Sequence, residues 1–222
     1  MDYTIIIADD HPLFRTALKS SVSLALNDPM ICEAGSIAEL QTLLENNSSP
    51  DLILLDLHMP GAHGLSGLIF LRGQYPDVPV VVVSASDDLQ IIQKTKKHGA
   101  NGFIPKSTSL DDLKTAIINV LNGENWWPEN FQPVESQESS DMEARLATLT
   151  PQQFRVLGMI SEGMLNKQIA YDLNVSEATI KAHVTAIFKK LGVRSRTQAV
   201  IAIKALEIEI PGQNTQDQEN PD

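Results

Sequence analysis

Tyr3-Thr4-Ile5-Ile6-Ile7-Ala8-Asp9-Asp10-His11-Pro12 decides how the first half of this chain is read. Residues 3–8 form an unbroken apolar and mostly β-branched run. That is the pattern of a strand covered on both faces of a parallel sheet, not the alternation of a half-exposed one. Two aspartates follow at once, and Pro12 then presets the backbone for the first turn of a helix. Four similar units follow. Apolar runs at Met30–Ala34, Leu52–Leu55, Val78–Ser84 and Gly102–Pro105 alternate with helical periodicity over Leu13–Leu26, Ile37–Leu44, Leu65–Tyr75, Leu89–His98 and Leu110–Asn122. Ser36 with Glu39, and Ser109 with Asp112, carry the spacing of a capping box at two of the helix starts. Five such repeats predict an α/β, doubly wound, five-stranded parallel sheet with right-handed crossovers.

In such a sheet, ligands bind beyond the carboxyl ends of the strands. Here those ends carry Asp9 and Asp10, Asp56, Ser84 and Lys106. Each aspartate alone could be a turn former or cap. Together they bring three carboxylates, a hydroxyl and an ammonium to one edge from positions far apart in sequence. Three close carboxylates repel one another unless a cation sits among them. Mg²⁺ is a hard oxygen-seeking ion that binds through a few carboxylates and keeps waters for a phosphate to replace. A carboxylate at such a site can attack phosphorus, with Mg²⁺ and Lys106 neutralising the phosphoryl oxygens and Ser84 hydrogen-bonding one of them.

Ala8-Asp9-Asp10-His11-Pro12-Leu13, Leu55-Asp56-Leu57-His58-Met59-Pro60-Gly61 with Gly64, Val83-Ser84-Ala85 and Phe103-Ile104-Pro105-Lys106 resemble the receiver domains of two-component response regulators. The resemblance covers residues 3–125 and implies a flavodoxin-like fold. It also implies that Asp56 is the phosphoacceptor and that Asp9, Asp10, Asp56 and the main-chain carbonyl of His58 hold Mg²⁺. Ser84 and Phe103 would be the switch pair, and Lys106 the phosphate-binding lysine. His11 and the His58 ring read as surface or supporting groups near the site. Trp126-Trp127 reads as packing against the last receiver helix, and Cys32 as a small buried hydrophobe.

The strand–helix alternation stops near residue 126. Residues 127–147 are polar and read as a linker, of which Met142–Ala147 has helical character. A second, all-α module of four helical segments spans residues 148–210, and 211–222 reads as a disordered tail. Thr150-Pro151-Gln152-Gln153 opens its first helix, over Gln152–Glu162. A short segment at Lys167–Leu173, a turn, and a longer helix capped by Ser176 and ending at Gly192 have helix-turn-helix spacing. In the longer helix Ile180, Val184, Ile187, Phe188 and Leu191 make one apolar stripe. Lys181, Ala182, Thr185 and Lys189 fall on the opposite face, where a small residue and short polar groups can approach base edges. Arg194 and Arg196, just past its end, are placed for phosphates. The last segment, Arg196–Leu206, carries Ala199, Val200, Ile203 and Leu206 on one stripe, suited either to pairing with a second copy or to packing within its own domain.

Leu149-Thr150-Pro151, Asn166-Lys167-Gln168-Ile169-Ala170, Ser176-Glu177-Ala178-Thr179-Ile180-Lys181-Ala182-His183 and Lys190-Leu191-Gly192-Val193 are similar to the LuxR-type DNA-binding domain. With the receiver, the whole resembles the NarL/FixJ class of response regulators. That resemblance places the helix after Ser176 in the major groove. Lys181, Ala182 and Thr185 would lie nearest the bases, with Asn166, Lys167, Thr179, Lys189 and Lys190 nearer the phosphates.

The charge balance fits such a division. Residues 149–206 hold 8 Lys and Arg against 3 Asp and Glu, whereas the rest of the chain holds 9 against 25. A locally basic module thus sits inside a chain of net charge −11. No apolar run approaches the roughly 18 residues of a membrane helix. Met1-Asp2-Tyr3-Thr4 has neither a basic n-region nor a cleavage site, and one cysteine cannot form an internal disulfide. A cytoplasmic regulator is expected, with a sensor histidine kinase, double-stranded promoter DNA, a second copy of itself and RNA polymerase as candidate partners. It is not expected to be a turnover enzyme: Asp56-Leu57-His58 lacks the second carboxylate two positions on that a phosphatase on a similar sheet would use. The expected output of phosphorylation is release of the recognition helix from the receiver, dimerisation, or both.

Overall fold

The structure, a computed structural model, describes residues 3–46, 49–131 and 141–204. Five parallel strands form one sheet: β1 (Thr4–Ala8), β2 (Met30–Ala34), β3 (Leu52–Asp56), β4 (Val80–Ser84) and β5 (Gly102–Pro105), in the order β2-β1-β3-β4-β5. They alternate with α1 (Pro12–Ala25), α2 (Ile37–Asn46), α3 (Ser66–Gln74), α4 (Leu89–Lys97) and α5 (Leu110–Leu121). The expected doubly wound sheet is therefore present, and most element ends fall within two residues of the sequence reading. Strand residues alternate between the two faces. Ile5, Ile7, Leu54 and Val83 pack with α1 and α5 residues such as Leu18 and Ile117, while Ile6, Leu55 and Val82 point to the other face, with Leu40 and Leu68. Every residue of β3 and β4 is buried, which is why those runs show no polar alternation.

Local chemistry sets the helix starts. Asp88 accepts from the Gln90 N–H, Ser109 from the Asp112 N–H and Thr150 from the Gln153 N–H. Caps of this kind are each worth about 1 kcal/mol. At Thr150 the reciprocal bond from Gln153 is also made, completing a capping box, whereas at Ser109 the hydroxyl itself donates to Asp112 Oδ2. At Ser36 it is made differently: Ser36 accepts from the Glu39 N–H, but the Glu39 carboxylate reaches back to the Gly35 N–H.

The second module comprises α7 (Pro151–Ser161), α8 (Asn166–Asp172), α9 (Glu177–Leu191) and α10 (Arg196–Lys204), preceded by α6 (Asp141–Ala147). α6 lies within the stretch read as linker. It packs against both α3 and α9, and Arg145 donates to the Leu191 carbonyl at the end of α9. Its Glu143 faces His98 at the end of α4, at 3.4 Å. Burial outweighs the attraction of Glu143 there and holds the His98 ring below its ordinary pKa. The tail, Leu206 and residues 132–140 lie outside the described residues.

The two modules share one apolar cluster. At its seam Phe70 of α3 stacks on Phe154 of α7, with centroids 4.3 Å apart and planes 16° from parallel. Polar contacts frame the stack. Buried Gln41 donates to the Pro151 carbonyl at 3.1 Å, the Gly61 N–H donates to Glu162 Oε1 at 3.1 Å, and His63 Nε2 lies 2.5 Å from Ser161 Oγ. Closest of all, a Cβ at Gly158 would stand 2.6 Å from the Gly61 carbonyl oxygen and 3.1 Å from its Cα. Only a residue without a side chain allows that approach. Gly158→Ala should therefore push α7 off the loop after β3, raising the radius of gyration in small-angle scattering while helicity is kept. An unchanged scattering curve would mean that the remaining contacts can absorb the clash.

Candidate functional site

Register brings the acidic edge together. Ala8 is level with Leu55, Asp56 with Val83, and Ser84 with Pro105. The residues at or just beyond those positions therefore meet at the carboxyl ends of β1, β3, β4 and β5. Asp9 and Asp56 are almost wholly buried, at 1% and 3% exposed. Lys106 reaches between them, with Nζ 2.8 Å from Asp56 Oδ2 and 2.6 Å from Asp9 Oδ2. Burial works against the Lys106 ammonium, but its approaches to Asp56 and Asp9 and their charges outweigh burial and hold its pKa above the ordinary lysine value.

Asp10 is partly exposed, and His11 Nδ1 lies 2.7 Å from its Oδ1. Asp9, Asp10, His11 and Asp56 each offer one ligand atom, all within 4.8 Å of one another. Two oxygens in this group, Asp9 Oδ2 and Asp10 Oδ1, are buried without a hydrogen bond. What faces them, the Lys106 ammonium and the His11 ring, is close but poorly aligned. Buried carboxylate oxygens left in this way suit a hard divalent cation. The remaining expected residues are placed around this core. Ser84 is fully buried, its Oγ accepting from the Ser86 N–H, and the Lys106 N–H donates to the Ser84 carbonyl. The Phe103 ring is fully buried. His58 is exposed, with its N–H on Asp56 Oδ1 at 3.2 Å.

Two contributors escaped the sequence reading. Arg15, one turn into α1, donates to the Asp9 carbonyl and lies 3.5 Å from Glu33, so it anchors the acidic turn from below. Phe14 presents its ring to Lys106 Nζ at 4.7 Å, a cation–π contact that helps fix the ammonium. The first-turn spacing from Pro12 was the available signal, but which strand-end groups those side chains meet depends on the packing of α1 against β1 and α5.

The second module presents a basic face. On α9 the apolar stripe is turned inward, with Ile180, Ile187 and Leu191 buried. Lys181, Ala182, Thr185 and Lys189 are exposed. Lys181 pairs with Glu177 at 3.0 Å on the same face. Lys167 is exposed and Asn166 half-buried at the start of α8. Ser176 and Thr179 are engaged with each other in the α9 cap, hydroxyl to hydroxyl at 2.8 Å. Lys190 is half-buried and donates to the Thr148 carbonyl at 2.7 Å. In this structure the receiver does not cover these side chains of the recognition helix.

Two corrections concern the end of the chain. Arg196 is half-buried and donates to the Ile160 and Met164 carbonyls at the end of α7, so its guanidinium is committed to structure rather than phosphate. The apolar stripe of α10 is split. Ala199 and Ile203 are 0% and 2% exposed inside their own domain, whose α7 and α9 pack against α10. They are core, not a surface for a second copy. Val200 is half-buried and Ile201 is 62% exposed. Trp126 extends the sheet, its carbonyl accepting from the Phe103 N–H, and Trp127 packs on Phe131 beside Lys96. Trp126 joins the cluster that holds α5, as expected, whereas Trp127 packs in the other cluster, away from the last receiver helix. Cys32 is half-buried rather than buried. Among the described residues no helix is long and apolar enough to cross a membrane.

An acidic strand-edge site joined to an exposed basic helix-turn-helix defines a protein that receives a signal at one end and binds nucleic acid at the other. Residues 5–118 match the response regulator receiver domain, and residues 147–203 match the bacterial regulatory proteins of the LuxR family. The glycerol metabolism activator of Pseudomonas putida is 40% identical over 90% of this chain and 94% of its own length. The nitrate/nitrite response regulator protein NarL of Escherichia coli strain K12 is 35% identical over 89% and 93%. Two RcsB dimers solved on two parallel DNAs share the fold, with a TM-score of 0.55 at 22% identity over 93% of this chain and 100% of that one. The chain belongs to the NarL/FixJ class of response regulators, and its function is transcriptional regulation within a two-component system.

The ion pairs of Lys106 have a definite pH signature. A lysine whose pKa is raised by folding contributes stability below its unfolded pKa of about 10.4 and loses it as pH rises through the folded value. Lys106→Met should lower the urea midpoint at neutral pH, and the gap to the unmodified protein should close only above about pH 10.4. A gap that persists unchanged at higher pH would assign the loss to packing instead.

Proposed function

We propose that Asp56 takes a phosphoryl group from a sensor histidine kinase and that the modified chain binds promoter DNA as a homodimer. What carries this reading is the triangle of Asp56, Asp9 and Lys106, with a carboxylate 2.8 Å from an ammonium at the edge of the sheet. One Asp56 oxygen would bond to phosphorus as the bond from phosphorus to the donor imidazole breaks. Lys106 would neutralise a phosphoryl oxygen, and Ser84 would hydrogen-bond one. Phe103 would follow Ser84 as the switch pair. Asp9, Asp10, Asp56 and the His58 carbonyl would hold Mg²⁺, which supplies positive charge for the carboxylates and the incoming oxygens. The buried, unbonded oxygens of Asp9 and Asp10 support that assignment. The chain would act as a regulator in the cytoplasm rather than as a turnover enzyme.

On the DNA side, Lys181, Ala182 and Thr185 would face bases in the major groove. Asn166, Lys167, Ser176, Thr179, Lys189 and Lys190 would stand nearer the phosphates. One recognition helix makes a small footprint, and pairing on two half-sites remedies that. Val200 and exposed Ile201 are the α10 positions left for pairing. RNA polymerase is the further partner of a bound activator. In this reading the domain division is 1–126, 127–147 and 148–210, with a tail at 211–222. Signal transfer would run through the loop after β3. Gly61 lies five positions beyond Asp56 and touches Gly158 of α7 and Glu162 just past its end, so movement of that loop would change what holds the second module.

Asp56→Ala should abolish labelling by a small phosphodonor in Mg²⁺, and labelling retained at that site would end the assignment. Lys181→Ala should weaken specific DNA binding by roughly 1–3 kcal/mol if the lysine reads a base. An equal loss on every sequence would make it a phosphate contact.

A further inference from the structure

The imidazole of His11 takes no part in the reading above, yet it is aimed at the acidic edge. His11 occupies the cap position of α1 but makes no side-chain cap hydrogen bond. Its main-chain N–H instead donates to Asp9 Oδ1 at 2.7 Å. Together with Pro12 behind it, that bond holds the ring over the carboxylates. Nδ1 stands 2.7 Å from Asp10 Oδ1, 3.3 Å from Asp9 Oδ1 and 3.8 Å from Asp56 Oδ2. It is one of four ligand atoms that lie within 4.8 Å of one another. The His58 ring has no such position: its Nδ1 is 4.0 Å from Asp56 Oδ1, and it is not among the four.

We propose that His11 supplies a nitrogen ligand to the divalent cation and biases this site toward first-row transition ions over Mg²⁺. The inference rests on the reading that the acidic edge holds a divalent cation. Three carboxylates alone form an all-oxygen set, which suits Mg²⁺ and Mn²⁺. A neutral imidazole adds a donor that Mg²⁺ gains little from, whereas Mn²⁺, Co²⁺ and Zn²⁺ accept it, with affinity rising along that series toward the later metals. Asp10 Oδ1, buried without a hydrogen bond beside the ring, would be the oxygen that shares the ion with it. The ring is 63% exposed, so it can turn the short distance from the carboxylate to a bound ion without disturbing the core. Its removal takes away a ligand from nitrogen-accepting ions and leaves the oxygen set for Mg²⁺ in place.

The test uses the full chain loaded with Mn²⁺ and pulsed electron paramagnetic resonance, which reads nitrogen coupled to the metal. Coupling to one ¹⁴N is expected in the unmodified protein and in His58→Ala, where the main-chain carbonyl is kept, and its loss is expected in His11→Ala. Calorimetry on the same proteins should show a Co²⁺ affinity that is clearly weaker in His11→Ala than in the unmodified protein, with Mg²⁺ affinity retained. Metal bound without nitrogen coupling, or coupling that survives His11→Ala, overturns the role of His11 while leaving the cation site standing. No binding of Mn²⁺, Co²⁺ or Mg²⁺ to the unmodified protein overturns the cation site itself, and the role of His11 with it.

Discussion

The receiver half of this molecule is organised around the burial of like charges. Asp9 and Asp56 lie almost out of water, on adjacent strands, and one ammonium serves both. Charges held this way are expensive unless paired with good geometry. The parallel sheet brings these charges together, since β1, β3 and β5 end at one edge, and α1 adds Arg15 beneath and Phe14 beside them, but Asp9 Oδ2 is left without a hydrogen bond. The two carboxylates still outnumber their ammonium, and Asp10 adds a third. That imbalance makes the edge receptive to a cation and to a phosphoryl group brought with one.

Much of this was legible because burial on both faces leaves a direct trace in sequence. The unbroken runs at Ile5–Ala8, Leu52–Leu55 and Val80–Val83 have no polar alternation because no residue in them meets water. Strand ends then gave the acidic set, since each polar residue that follows a buried run sits at the same edge. Turn and cap chemistry was local enough to read at Ser109 and Thr150. The contributions of Arg15 and Phe14 were not legible. They depend on how far α1 is rotated above β1 and beside α5, which periodicity leaves undetermined within a turn. The α10 stripe misled for a related reason. Ala199 and Ile203 have the spacing of a surface for a second copy, and the same spacing serves a helix lying on α7 and α9.

The relation between the modules was the least legible feature. The helical character read at Met142–Ala147 is borne out by α6, but a polar stretch reads as a spacer, and composition does not show that α6 lies between α3 and α9. The acidic receiver and the basic helical module are joined by an apolar seam and a few hydrogen bonds, not by attraction between their opposite net charges. The basic face of α9 stays exposed as a result. Control exerted through this seam would act on the placement of the whole module rather than by masking its recognition surface.

The seam also has a mechanical character set by Gly158 and Gly61. Most contacts between packed elements are made by side chains, which yield about an ångström by changing rotamer. Here one backbone rests against another, and neither has a rotamer to give. The contact has almost no compliance, so displacement of the loop after β3 is transmitted to α7 nearly undiminished or else breaks the contact. A stiff linkage of that kind behaves as a latch rather than a spring, and the missing side chain at Gly158 is what makes it possible.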